Sequence, residues 1–196
     1  MSLKPYHHGN LKEALIEAGI ELINQEGLDK LSLRKVASIC GVSQAAPYSH
    51  FQSKDDLLQA MRDYVLAQFM EALEKPISLY GPDEERALIE MGKSYVMFFI
   101  NNPQYFKFIF SEQCMQVYLS IEMDETDNFP PFKLMKDIAV PILAAKGIAK
   151  EKVEDAVISL WATVHGLASI ATMKNVHYDK DWGEKVEDII WNQAGD

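Results

Sequence analysis

The fold of this chain is decided by residues 31–58, LSLRKVASICGVSQAAPYSHFQSKDDLL. Ser32 is a favoured helix N-cap and Gly41 a favoured helix stop, so the stretch predicts a short helix followed by a tight turn. Ser43 then predicts a second short helix through residue 51, and Ser53 predicts the start of a longer one. Two short helices around a glycine turn are typical of the helix-turn-helix, whose second helix enters the major groove of DNA.

The residue types in this stretch suit contact with nucleic acid. The formal net charge of the chain is −10, yet no acidic residue lies between Lys30 and Lys54. Arg34 begins the first short helix, while Gln44 and Tyr48 share a face of the second at i, i+4 spacing. Lys and Arg neutralise phosphates, and Arg and Gln read base edges. Chance clustering of charge on a solvated face is the alternative explanation for the basic window.

The rest of the chain also predicts helices, because period-2 alternation between turns is absent. The fold class is therefore all-α, with about nine helices. A three-helix helix-turn-helix domain would be joined by a linker helix to a C-terminal helical bundle. Pro76 should end the linker helix and open a turn-rich linker over residues 76–83. The expected domains are residues 1–53 for DNA binding, 54–75 for the connecting helix and 76–196 for ligand binding and dimerisation.

The order of residues in the N-terminal part resembles that of TetR-type transcription regulators. The resemblance covers residues 10–58 and rests on the runs LSLRKVA with GVS and YSHFQSKDDLL. The N-terminal arm YHHGNL and the later WATVHG, residues 161–166, resemble one branch of that family, which a Trp-His-Gly motif marks. The resemblance implies an all-helical dimer that binds an operator and senses a small molecule, most often as a repressor.

The resemblance also implies roles for individual residues. Base-facing positions would be Arg34, Gln44 and Ala45, and phosphate-facing positions would be Ser32, Tyr48, His50 and Lys54. Pro47 departs from the pattern, because proline inside a helix removes an N–H donor and crowds the preceding turn. We therefore expect the helix that carries Gln44 to be distorted or to start late.

The helices after residue 80 are rich in aromatic residues and methionine. These residues predict either a plain hydrophobic core or a cavity between helices, which in bundles commonly holds a ligand. The ligand would be a small molecule, and the lining favours an apolar or aromatic one. The candidate lining residues are Tyr95, Phe98, Phe99, Phe106, Phe110, Met115, Tyr118, Trp161 and His165.

A protein that binds two half-sites one DNA turn apart needs two recognition helices about 34–36 Å apart. This requirement predicts a homodimer on a near-palindromic double-stranded operator. The apolar faces of residues 150–173 and 182–193 would form the dimer seam. The alternative is that these faces cover the protomer's own core. The candidate seam residues are Val153, Val157, Leu160, Val164, Ile189 and Ile190.

Other function classes have little support in the sequence. We expect no cofactor, no metal site and no catalysis, since no cluster of ligands has metal spacing and no nucleotide or nucleophile motif occurs. Cys40 and Cys114 would be free thiols in a cytoplasmic protein without a membrane span. Two alternatives stay open: a small-molecule binding protein of this fold without DNA recognition, and an all-helical enzyme that uses His165.

Overall fold

The computed structural model describes residues 10–81, 83–110, 116–122 and 128–194. These residues form helices and contain no strand, which confirms the all-α prediction. None of the described helices is long and apolar enough to cross a membrane. The helices are α1 (Leu11–Glu26), α2 (Leu33–Ile39), α3 (Lys54–Tyr80), α4 (Glu84–Asn101), α5 (Pro103–Ile109), α6 (Pro130–Ala145), α7 (Lys150–Thr172) and α8 (Trp182–Ala194), with short 3₁₀ turns at Leu28–Lys30 and Ala46–Ser49.

Side-chain caps fix the beginnings of the N-terminal helices where the sequence predicts them. Asn10 Oδ1 accepts the N–H of Glu13 at 3.3 Å at the start of α1. Ser53 Oγ accepts the N–H of Asp56 at 3.1 Å, and Asp56 Oδ2 accepts the N–H of Gln52 at 2.8 Å. This reciprocal pair satisfies two N–H groups that the first turn of α3 leaves without helical partners.

The second short helix of the helix-turn-helix is much shorter than predicted. The helix expected from Ser43 through Phe51 is reduced to the 3₁₀ turn Ala46–Ser49, so that prediction is wrong. Pro47 explains the difference, because it has no N–H to donate and its ring fits only the first turn of a helix. The described chain consequently has eight α-helices where the sequence predicts about nine.

Helix α3 runs further than predicted. The sequence predicts that it ends at Lys75 and that residues 76–83 form a linker, but α3 continues to Tyr80 with Pro76 inside it. Both of these predictions are wrong. Pro76 cannot donate to the carbonyl one turn earlier, yet its ring is buried. We attribute the continuation to that burial, which offsets the lost hydrogen bond.

The chain divides into two compact units. The N-terminal unit lies within Met1–Ala67 plus Lys107–Cys114, and the C-terminal unit lies within Gln68–Phe106 plus Met115–Asp196. Helix α3 contributes residues to both. In the N-terminal unit, α2 packs against α1 and against the 3₁₀ turn Ala46–Ser49. The fully buried side chains of this unit include Leu15, Ile20, Val36, Phe51, Leu57 and Met61.

The C-terminal unit is built around α4, which packs against α6, α7 and α8. Its core is aromatic: Phe69 is fully buried, with its ring centroid 4.7 Å from that of Phe99 and 4.9 Å from that of Tyr95. Ion pairs at the surface join α4 to α8. Glu187 lies 2.8 Å from Lys93 Nζ and 3.0 Å from Arg86 Nη1.

Candidate nucleic-acid interface and ligand cavity

A glycine turn ends α2 and redirects the chain towards the 3₁₀ turn. The N–H of Gly41 bonds to Ser38 O at 3.2 Å, and the N–H of Val42 bonds to Ala37 O at 3.0 Å. Gly41 has a φ of 69°, in the left-handed region that residues with a Cβ rarely adopt. These two bonds form the Schellman arrangement that closes a helix C-terminus.

The 3₁₀ turn presents a row of exposed side chains. The N–H of Tyr48 bonds to Ala45 O at 3.2 Å and that of His50 bonds to Pro47 O at 2.9 Å. Pro47 is buried, while Tyr48 is 53% exposed. Gln44, which precedes the turn, is also exposed. The turn therefore faces solvent with the side chains that the sequence assigns to DNA.

Two of the residues expected to face phosphate also have structural contacts. Ser32 Oγ accepts the N–H of Lys35 at 3.2 Å and so caps α2. Lys54 Nζ donates to Leu28 O at 2.9 Å, which ties the start of α3 to the turn after α1. The cap was predicted from the sequence, but the tie to Leu28 was not, because it joins residues that are far apart in the chain.

All the residues that the sequence assigns to DNA lie in the N-terminal unit. Lys54 is half-buried, and the others are exposed: Ser32, Arg34, Gln44, Ala45, Tyr48 and His50. Lys35, in the same basic window, forms an ion pair with Glu26 of α1. These residues together supply exposed hydrogen-bonding groups and positive charge, which matches the chemistry that a phosphate backbone requires.

The C-terminal unit contains an apolar cavity of about 30 Å³. Of the residues predicted to line a cavity, Tyr95 and Trp161 are found among the described lining residues of this one. A Cβ built on Gly92 would lie 2.6 Å from Ile190 Cδ1, so this glycine lets α4 and α8 approach closely beside the cavity. The lining residues, among those that the structure describes, are Leu73, Leu88, Met91, Gly92, Tyr95, Pro131, Met135, Leu160, Trp161, Val164 and Ile190.

The other predicted cavity residues lie elsewhere. Phe98 and Phe99 are buried in the aromatic core, with ring centroids 5.1 Å apart. The Phe106 ring packs against that of His165, with centroids 5.2 Å apart, and neither residue is among the described lining residues. Two further predicted residues, Phe110 in the N-terminal unit and the half-buried Tyr118, do not line the cavity, and Met115 lies outside the described residues.

A polar pair lies against the cavity wall. Tyr95 Oη is 3.1 Å from His165 Nδ1, and the His165 ring stacks on Trp161 with centroids 6.0 Å apart. Burial raises the pKa of Tyr95 well above its usual value. Burial also lowers the pKa of His165. Both shifts favour the neutral forms, so the pair is an uncharged hydrogen-bonding group in apolar surroundings.

Two family models match this chain, one in its N-terminal part and one in its C-terminal part. Residues 15–61 match the model described as bacterial regulatory proteins, tetR family. Residues 88–190, more than half of the chain, match the model described as the tetracyclin repressor-like C-terminal domain. The chain belongs to the tetR family. The helix-turn-helix and the helical C-terminal unit are thus the two regions that the family models describe.

Individual relatives agree with the family. The tetracycline repressor protein class G of Vibrio anguillarum is 44% identical over 57 residues, which span 29% of this chain and 27% of that repressor. The tetR-family regulator PfmR of Thermus thermophilus has the same fold, with a TM-score of 0.65, 17% identity and coverage of 92% and 96% of the two chains. FadR of Bacillus subtilis, solved in complex with stearoyl-CoA, has a TM-score of 0.62 and 16% identity, and the match covers 93% of this chain and 97% of FadR. This chain spans half or less of the curated relatives that it matches.

Most of the residues predicted to form the dimer seam are buried inside the protomer. Val153, Val157, Val164 and Ile190 are buried against the protomer's own helices. Leu160, Val164 and Ile190 line the cavity, while Leu160 and Ile189 are half-buried. The sequence pattern identified a buried stripe correctly but not what covers it. Two large apolar side chains are exposed at the end of α7: Ile170 in its last turn is 44% exposed, and the C-cap residue Met173 is 52% exposed.

The described residues hold no group of three or more His, Cys, Asp or Glu that could bind a metal ion. The Cys40 thiol is half-buried and donates to Ala14 O at 3.4 Å. Burial raises the pKa of Cys40, which keeps it protonated and poorly nucleophilic. Cys114 lies outside the described residues.

Proposed function

We propose that the protein is a ligand-responsive transcription regulator that binds a near-palindromic operator as a homodimer in the cytoplasm and catalyses no reaction. The observation that carries this proposal is the exposed row from Arg34 to His50, which stands on a capped helix-turn-helix in a window without acidic residues. Family membership supports it. By the commoner mode of such proteins, it would repress and leave its operator when a small molecule binds.

The proposed division of labour follows the chain. Residues 1–53 bind DNA, helix α3 connects, and the region after it binds ligand and dimerises. Helix α3 is continuous and contributes residues to both units. A ligand that binds better to one arrangement of α3 would shift the population of DNA-competent dimers. The motif Trp161, His165, Gly166 places the chain, in this proposal, in the branch that a Trp-His-Gly sequence marks.

The dimer seam is proposed to lie on the outward side of α7 and α8. The exposed Ile170 and Met173 support this placement, because apolar side chains at the surface favour contact with a second copy. Ile170→Glu should shift sedimentation from dimer to monomer at micromolar concentration. Leu79→Glu is the matched control, since Leu79 is 66% exposed on α3. A dimer that survives Ile170→Glu unchanged would remove this seam.

The effector is proposed to bind in the cavity of the C-terminal unit. The FadR relative binds an acyl-CoA, so an apolar ligand has a precedent in this fold. Because coupling is reciprocal, a ligand that releases the operator must itself bind more weakly to the protein–operator complex. A cavity ligand with equal affinity in the presence and absence of operator would contradict this assignment.

The first experiment is selection of binding sites from random duplexes at several salt concentrations. An enriched palindrome whose affinity falls steeply with salt supports the proposal. Arg34→Ala should weaken binding and relax the preference at one base position by about 1–3 kcal/mol. Lys75→Ala removes the same charge from exposed α3 surface and should change neither. Absence of both enrichment and salt-dependent binding would favour the small-molecule binding protein instead.

A further inference from the structure

The chemistry of the cavity wall restricts what it can bind. Its lining comes from α3, α4, α6, α7 and α8, and no charged side chain occurs among the described lining residues. Among these lining residues, Tyr95 and Trp161 are the two whose side chains carry a polar group, a hydroxyl and an indole N–H. A charged ligand would lose its hydration here without gaining an opposite charge, which is costly in an apolar site.

The hydrogen-bonding role of the Tyr95 hydroxyl towards a ligand depends on the tautomer of His165. When His165 carries its proton on Nε2, Tyr95 donates to Nδ1 and the phenol oxygen accepts from a ligand. When the proton is on Nδ1, His165 donates to the phenol oxygen and the Tyr95 O–H is directed to a ligand acceptor. The 3.1 Å distance between Tyr95 Oη and His165 Nδ1 fits both tautomers.

We propose that this cavity takes an uncharged, mainly apolar molecule with a single hydrogen-bonding oxygen, and that Tyr95 Oη binds that oxygen while His165 positions the hydroxyl. The inference rests on the proposed function, in which this molecule is the effector. Tyr95 contacts the ligand, and His165 acts through Tyr95.

The cavity has to widen to admit such a molecule. Ligand pockets usually enclose about 300 Å³ or more, whereas this cavity holds about 30 Å³. Met91 and Met135 in its wall have flexible, polarizable side chains that change rotamer readily and can move aside. The apolar parts of the ligand would then occupy the volume that the two thioethers leave.

The test uses three probes of one shape: p-xylene, p-cresol and p-toluate, titrated calorimetrically into the full-length protein. p-Cresol replaces one methyl of p-xylene with a hydroxyl, and p-toluate replaces it with a carboxylate. One neutral hydrogen bond is worth about 1 kcal/mol, so p-cresol should bind about fivefold more tightly than p-xylene. p-Toluate should bind at least about a hundredfold more weakly than p-cresol, since its charge has no partner.

Tyr95→Phe isolates the proposed contact. It should remove the fivefold advantage of p-cresol and leave p-xylene binding within about twofold, a difference that a purely structural role for the hydroxyl would not produce. Tyr80→Phe, the same change at an exposed tyrosine, should leave the advantage intact. His165→Gln should reduce the advantage while p-xylene still binds, because Tyr95 then loses its positioning partner.

Three results would overturn the inference: p-toluate binding as tightly as p-cresol, a p-cresol advantage that persists in Tyr95→Phe, or no binding of p-cresol up to its solubility limit. Operator affinity of the wild type, measured without any probe, separates this failure from failure of the proposed function. Intact operator binding with a failed probe series overturns the ligand class alone. Failure of the wild type to bind the operator overturns the proposed function as a regulator.

Discussion

Lys54→Met would test whether the start of α3 contacts the DNA backbone. Lys54 is the first residue of α3, where helix N–H groups already favour a phosphate. Its ammonium has three donors, one of which binds Leu28 O at 2.9 Å, and the geometry leaves the side chain half-exposed. Methionine keeps the apolar stem of lysine and removes only the charge and its donors.

The expected magnitude follows from counterion release. Each phosphate neutralised contributes about 0.9 to the slope of log K against log salt. A twofold dimer loses one contact per protomer, so its slope should fall by about 1.8. Over a fourfold rise in salt, from about 50 to about 200 mM, that difference amounts to roughly twelvefold. The ratio of wild-type to variant operator affinity should therefore be about twelvefold larger at the lower salt concentration than at the higher one.

Fluorescence anisotropy with the selected operator at several salt concentrations measures both slopes. Lys75→Met is the matched control, because Lys75 is an exposed lysine on the same helix but outside the helix-turn-helix, and its slope should equal that of the wild type. An unchanged slope for Lys54→Met would show that this ammonium does not neutralise phosphate, and the role of Lys54 would be structural only.

The bond to Leu28 predicts a second, separable effect of the same change. Loss of one partly buried hydrogen bond should cost about 1 kcal/mol of the free energy of unfolding, measured by urea denaturation. Lys54→Arg keeps the charge and a donor, so it should recover the salt slope whether or not it recovers all of the stability. A variant that lost affinity equally at every salt concentration would point to the lost stability rather than to phosphate contact.

Three further perturbations test the C-terminal unit. Phe69→Ala should lower the free energy of unfolding by about 3–5 kcal/mol, since the ring is fully buried among aromatic side chains, whereas Leu79→Ala at an exposed site should change it by less than about 0.5 kcal/mol in the same urea titration. Gly92→Ala places a Cβ 2.6 Å from Ile190 Cδ1 and should weaken p-cresol binding by at least about fivefold with operator affinity retained; calorimetry that finds equal affinity would show that the probe binds elsewhere. Burial lowers the pKa of His165, so the unfolded chain takes up its proton at a higher pH than the folded chain. Stability from this residue should be complete above about pH 6.5 and decline as the pH falls below it, and thermal melts between about pH 8 and about pH 5 should show a smaller decline for His165→Gln.

Local signals in the sequence predicted the features that depend on neighbouring residues. The caps at Asn10, Ser32 and Ser53 and the glycine turn at Gly41 each involve atoms within a few residues, so the residue type alone determines them. Pro47 belongs in the same group: its covalent structure predicted a distorted recognition segment, and the segment is a 3₁₀ turn. Only the extent of the shortening could not be predicted.

The remaining errors concern burial, which the sequence does not state. Pro76 is a helix breaker by its local chemistry, yet α3 continues through it because its ring is buried. The apolar stripe on α7 is a second case in which the sequence does not state what covers a residue. Its apolar period predicts that Val157 and Val164 are covered, but the same period would result from a partner chain or from the protomer's own helices. Only the three-dimensional packing against α4 and α6 distinguishes the two.

The cavity shows why the site was harder to predict than the fold. Tyr95 and His165 are 70 residues apart in the chain, and no sequence period connects residues on α4 and α7. Aromatic composition identified Tyr95 and Trp161, but composition cannot separate a ring that lines a cavity from one, such as Phe99, that fills the core. What distinguishes Tyr95 is the hydroxyl that a phenylalanine lacks. A buried hydroxyl needs a hydrogen-bond partner, so a tyrosine in a row of phenylalanines is the one sequence signal that could have pointed to His165.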